Sequence, residues 1–164
     1  MAWVHDRGFI APSGILKSTP SAGQRVGAYG VRFSGPDEKD LAGEYFTAET
    51  DFGPSLGNGV PTMLHHGRSL APGMDEFAGI LLPAATVRKD SKGLFVETRL
   101  DLADPLQNAL CQLISLGALR WSSGTGCQLM AKADNGRILR WPPIEFSFTP
   151  TPCEYRLPAI ARLN

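Results

Sequence analysis

The chain carries no surplus of charge. Its 16 Lys and Arg balance 16 Asp and Glu across 164 residues. Binding to nucleic acid without sequence preference runs on an excess of phosphate-neutralising cations, so no nucleic-acid partner is expected. Cysteine is scarce. Cys111, Cys127 and Cys153 are an odd number with no Cys-x-x-Cys spacing, which argues against a disulfide framework or a zinc site and for structural thiols in a reducing compartment. Long hydrophobic runs are missing too. The longest, residues 78–87, is half a membrane span and contains Gly79 and Pro83, while the first nine residues meet His5, Asp6 and Arg7 before an apolar segment forms. Neither a membrane span nor a secretory signal is expected. Also absent are the phosphate-binding loop, the dinucleotide-binding glycines and the zinc-protease helix motif. No cofactor and no metal are therefore expected.

What is present is turn-forming and strand-forming. Eighteen glycines and 13 prolines make up nearly a fifth of the chain, where average usage gives about an eighth. The length suits one domain. Residues 1–24 contain Pro12-Ser13-Gly14 and Ser18-Thr19-Pro20-Ser21 and read as a loose arm; residues 25–164 read as a single domain, its body starting near Val26. Tyr29, Val31 and Phe33 occupy one side of a first strand. A short apolar run from Val60 ends in His65, His66 and Gly67, with the two histidines on opposite faces of the strand. Residues 79–87 and 94–102 are further strands, joined by the turn Asp90-Ser91-Lys92-Gly93. In the second of these, Leu94, Val96, Thr98, Leu100 and Leu102 face one way.

One helix is expected over 104–117, with Asp104 as N-cap, Pro105 at the first helical position and Gly117 as the stop. Leu106, Ala109, Leu110, Leu113 and Ile114 form its apolar stripe, with Cys111 off centre. Ala118 to Ser123 is extended again, and Gly124-Thr125-Gly126 bends it. Residues 138–148 read as the last strong strand, in which Ile144, Phe146 and Phe148 face the core and Glu145, Ser147 and Thr149 face the other way.

Three points at the ends of apolar segments carry groups suited to nucleophilic chemistry, which needs a nucleophile, a base within reach and a third group to orient the base. They are His66 before Gly67, Ser122 and Ser123 before Gly124, and Glu145 on a polar strand face. Each also has an ordinary reading: a turn histidine, turn serines and a surface carboxylate.

Four segments, in order, resemble the tailed-phage prohead (capsid maturation) serine proteases. The first runs from Val31-Arg32-Phe33-Ser34-Gly35-Pro36-Asp37 to Asp40-Leu41-Ala42-Gly43-Glu44-Tyr45-Phe46. The others are Leu64-His65-His66-Gly67, then Leu119-Arg120-Trp121-Ser122-Ser123-Gly124, and Trp141-Pro142-Pro143-Ile144-Glu145-Phe146-Ser147-Phe148-Thr149-Pro150-Thr151-Pro152. That family is similar to the herpesvirus assemblins. The resemblance implies an α+β fold, mainly an antiparallel β-barrel with flanking helices. It implies Ser122 as nucleophile, in a Ser-x-Gly context, with His66 as base and Glu145 as the third member. The chain order His, Ser, Glu differs from the three common serine-hydrolase orders.

Backbone N–H groups near Ser123 to Gly126, Ser123 and Gly124 first, are the expected oxyanion donors; where the herpesvirus relatives carry an arginine-rich segment after the third member, this chain departs from them and reads Ser147-Phe148-Thr149-Pro150. The implied substrates are phage major capsid protein and scaffold segments, and the chain's own termini. The implied setting is the host bacterial cytoplasm, inside the procapsid, as a homodimer or higher homo-oligomer. The alternatives are a catalytically inactive structural or scaffolding protein on the same fold, and a metal- or ligand-binding barrel.

Overall fold

The computed structural model describes residues 23–57, 59–69, 75 and 78–164. Nearly all of the expected arm, residues 1–22, lies outside the described residues. The main sheet begins at Gln24, inside the expected arm and two residues ahead of Val26. The described residues form β1 (Gln24–Arg32), β2 (Val60–Leu64), β3 (Leu81–Lys89), β4 (Gly93–Leu100), α1 (Pro105–Ser115), β5 (Arg120–Gly124), β6 (Ala131–Lys132), β7 (Ile138–Arg140), β8 (Glu145–Thr149) and β9 (Ala161–Arg162). Seven strands make one sheet in the order β5-β8-β2-β3-β4-β1-β9, and β6 and β7 form a separate ribbon. Every pairing is antiparallel except β2 with β8.

Glycine lets this sheet curl. A β-carbon at Gly30 of β1 would lie 2.7 Å from Cε1 of Phe146 on β8 and 2.7 Å from Cγ2 of Val96 on β4. β8 and β1 stand four positions apart in the sheet order, so the contact requires the sheet to roll until its inner face meets itself. The protein is a mixed α/β fold dominated by this curled half-barrel. Where the resemblance implied flanking helices, the described residues hold one α-helix, the one read over 104–117, besides short 3₁₀ turns such as Gly53–Ser55 and His65–Gly67. Among the described residues no helix is long and apolar enough to cross a membrane.

The half-barrel is filled by Val26, Val87, Leu94, Val96, Leu100, Trp121, Phe146 and Phe148, each at most 1% exposed. Trp121 packs on Phe148 with ring centroids 4.2 Å apart. In β4 the alternation holds from Leu94 to Leu100, all buried, but Leu102 lies past the strand end and is 40% exposed. In β1 a bulge between Tyr29 and Val31 breaks the expected face. Ala28 and Val31 turn inward, whereas Tyr29 donates a hydrogen bond to Asp90 and meets Phe95 edge-on. The Asp90 carboxylate also accepts from the N–H groups of Lys92 and Gly93, building the β3–β4 turn.

Helix α1 has the expected ends. The Asp104 carboxylate caps the Gln107 N–H. At the other end, Gly117 at φ 68° lets its own N–H reach the Ile114 carbonyl and the Ala118 N–H reach that of Leu113, a Schellman closure. Leu110 and Ile114 of the expected stripe are buried and Leu106 packs half-buried against the core, but Cys111 joins them, while Leu113 is 41% exposed and Ala109 faces solvent. Cys111 is thus at the centre of the packing face. The expected single strand over 138–148 is two, since Pro142 and Pro143 end β7 and release the chain before β8. Ile144 is left outside the core, 51% exposed.

Candidate active site

The site is built on β8. All five of its residues are buried, with Phe146 and Phe148 on the aromatic face against Trp121 and Glu145, Ser147 and Thr149 on the other. Antiparallel β5 sets its residues directly opposite: Ser122 faces Ser147, and Gly124 faces Glu145. Residues paired across a ladder share a face, so Ser122 joins the polar side of β8. Ser123, paired with Phe146, belongs to the opposite side.

The histidines arrive from β2. This strand runs parallel to β8, with Leu64 beside Phe148, and would carry the chain past the polar face. Instead His65, His66 and Gly67 take φ values of 46°, 58° and 67°. Three consecutive left-handed residues turn the chain back, and the two histidines leave the strand rather than occupying its opposite faces as the sequence suggested. A non-glycine residue in this conformation costs about 1–2 kcal/mol, and such strain persists where the surroundings over-determine it. Here the Arg68 N–H bonds the His65 carbonyl, the Gly79 N–H bonds the Gly67 carbonyl, and the His66 N–H bonds Oγ of Ser147 at 2.8 Å. Nδ1 of His65 lies 3.1 Å from Oγ1 of Thr149.

The turn brings His66, Ser122 and Glu145 together. Nδ1 of His66 is 2.6 Å from Oε1 of Glu145, and Nε2 is 3.0 Å from Oγ of Ser122. A carboxylate only accepts. With the carboxylate ionised, Nδ1 donates to it, and in the neutral imidazole Nε2 then offers its lone pair to the serine hydroxyl. Ser122 and Glu145 are 8% and 6% exposed, whereas the His66 side chain is 35% exposed, so the ring is the solvent-facing member. The cleft beside it, about 470 Å³, is lined by Met63, His66, Arg68, Gly124, Thr125, Ile144 and Glu145. Ser122 and Ser123 also border a second cavity of about 250 Å³, with Phe46, Trp141 and Cys153.

Two of the cysteines have thiols shifted upward from their ordinary range. Burial pushes Cys111 up, and burial followed by the Asp40 charge pushes Cys153 up. Both shifts disfavour the thiolate, the nucleophilic form of cysteine. Ser123 and Gly124, the expected oxyanion donors, are consecutive in β5, and consecutive strand N–H groups point to opposite edges. They do not converge on one point. Among the described residues no group of three or more His, Cys, Asp or Glu side chains is arranged to hold a metal.

Two residues of the site do more than the sequence assigned them. Ser147 was legible as sharing the face of Glu145 but not as bonding both the carboxylate and the His66 backbone. Gly124 was legible as a bend, yet its missing side chain is what admits the Glu145 carboxylate: a β-carbon there would lie 2.0 Å from Oε1. No family model, curated protein or solved structure matches the chain.

Proposed function

We propose that this chain is a serine endopeptidase of the prohead-protease type, with a herpesvirus-protease-like barrel, that cleaves capsid-protein and scaffold segments during phage procapsid maturation. The observation that carries the hydrolase reading is the unbroken line from Glu145 through His66 to Ser122, at 2.6 and 3.0 Å. The phage setting, the host cytoplasm and procapsid interior, and assembly into a homodimer or higher homo-oligomer rest on the four-segment resemblance.

In this reading Nε2 of His66 takes the hydroxyl proton as Oγ of Ser122 attacks a peptide carbonyl carbon. The C–N bond breaks, and the same proton passes to the leaving amine. Water then attacks the acyl-serine. His66 accepts its proton and returns it to Ser122 as the new carboxyl end departs. Glu145 holds the imidazole tautomer and its charge. One N–H of the Ser123–Gly124 pair, on the open side of β5, takes the oxyanion role; loss of such a donor typically costs about 10²–10³ in rate. The cleft offers substrate an apolar wall from Met63 and Ile144 and a cation from Arg68.

The test is digestion of scaffold and major capsid protein from the same genome by the wild type, Ser122→Ala and Ser123→Ala. Cleavage by the wild type and Ser123→Ala but not by Ser122→Ala supports the reading. Full activity in Ser122→Ala overturns it. Inertness of all three points to the structural or scaffolding alternative.

A further inference from the structure

We propose that Ser147 is a positioning residue of this site, one hydroxyl that locks the base and its carboxylate partner to each other. The inference rests on the hydrolase reading above and extends it to a residue that never meets substrate. Ser147 is 0% exposed. Its Oγ accepts from the His66 backbone N–H at 2.8 Å and donates to Oε2 of Glu145 at 2.7 Å. With Oε1 of Glu145 on Nδ1 of His66 at 2.6 Å, the contacts close a ring: His66 backbone, Ser147 hydroxyl, Glu145 carboxylate, His66 imidazole.

A serine hydroxyl has a single proton. Because the carboxylate takes it, the hydroxyl can meet the His66 N–H only as an acceptor, and both ends of the ring have one assignment. Two degrees of freedom are removed together. The left-handed backbone of His66, at φ 58°, gains a fixed acceptor for its N–H. The carboxylate cannot rotate, since one oxygen is held by Ser147 and the other is left for the imidazole. Cross-strand pairing of Ser147 with Ser122 places this ring directly behind the nucleophile. Thr149, the other hydroxyl on this face, serves His65 instead.

The experiment uses a fluorophosphonate, in which Oγ of the nucleophile forms a bond to phosphorus, fluoride leaves with the bonding electrons, and the base takes the hydroxyl proton. Labelling of the full chain is followed by intact mass for the wild type, Ser147→Ala and Ser147→Cys. The Cys variant keeps a side-chain atom in place with only a weak donor and a slightly larger volume, so a defect shared with Ala is not one of an emptied site. The maximal labelling rate is expected to fall on the order of 10²-fold in both variants, with the half-saturating probe concentration unchanged within about twofold. The downfield proton NMR signal of the His66 Nδ1–H is expected to broaden or move upfield in both. Wild-type labelling with unchanged maximal rate and proton signal in both variants overturns the role of Ser147 alone. Absence of labelling in the wild type overturns the hydrolase reading itself, and this proposal with it.

Discussion

Glu145 reaches its place because the residue opposite has no side chain. Gly124 is not at positive φ, so alanine there strains no backbone, and its β-carbon would meet only the carboxylate end of Glu145, at 2.0 Å from Oε1 and 2.9 Å from Cδ. That carboxylate is held at both oxygens and cannot move without breaking the line to His66. Gly124→Ala is therefore expected to lower turnover on the order of 10²-fold, the scale of a misplacement of about 1 Å, and to lower stability by about 1–3 kcal/mol, because the displaced carboxylate is buried and loses its partners. Wild-type turnover in the alanine variant would show that the geometry at Oε1 does not matter. At this scale the sequence was informative about residue types and silent about conformation. The i, i+2 spacing of Glu145, Ser147 and Thr149 put three polar side chains on one face. Nothing in the pair His65 and His66 signalled two left-handed backbones, because only their tertiary hydrogen bonds outweigh the cost; the following Gly67 was the one local hint.

Among the elements, α1 was legible at its ends and at Leu106, Leu110 and Ile114 of its packing face, whereas its apolar spacing wrongly includes Leu113 and Ala109 in that face and puts Cys111 off its centre. Caps are local chemistry, so Asp104, Pro105 and Gly117 were sufficient to mark them. Which arc of the helix is buried depends on what it packs against, here β9 and β4, and the apolar stripe is wide enough to rotate by one residue. Leu110→Ala is expected to cost about 2–5 kcal/mol, as a buried truncation does. Leu113→Ala, at a 41% exposed position, is expected to stay within about 0.5 kcal/mol. Denaturant melts of the two variants measure both, and equal losses would contradict the observed phase. The same division explains β7 and β8. Alternation alone joined residues 138–148 into one strand, and the two prolines that separate them lie where the apolar pattern continues undisturbed.

The whole molecule depends on closure of the sheet, a property no segment carries by itself. Length, turn content and alternation indicated a single strand-rich domain, but the parallel pairing of β2 with β8 and the contact of β1 with β8 are long-range. Gly30 is where closure is tightest. Gly30→Ala is expected to destabilise by about 1–3 kcal/mol through overpacking against Phe146 and Val96, and to loosen Phe146, which stands on the strand that carries Glu145. A melting temperature unchanged by this substitution would mean the half-barrel gapes more widely than its Gly30–Phe146 contact implies.

The central claim is that this fold makes Ser122 a nucleophile by holding His66 against it. The measurement that meets it most directly is peptide mapping of the fluorophosphonate adduct on the native wild-type chain and on His66→Ala. One adduct per wild-type chain, on Ser122, with labelling abolished in a folded His66→Ala, is the expected result. An adduct on Ser123 or on another residue, or labelling of Ser122 at the same rate without the histidine, would contradict the account.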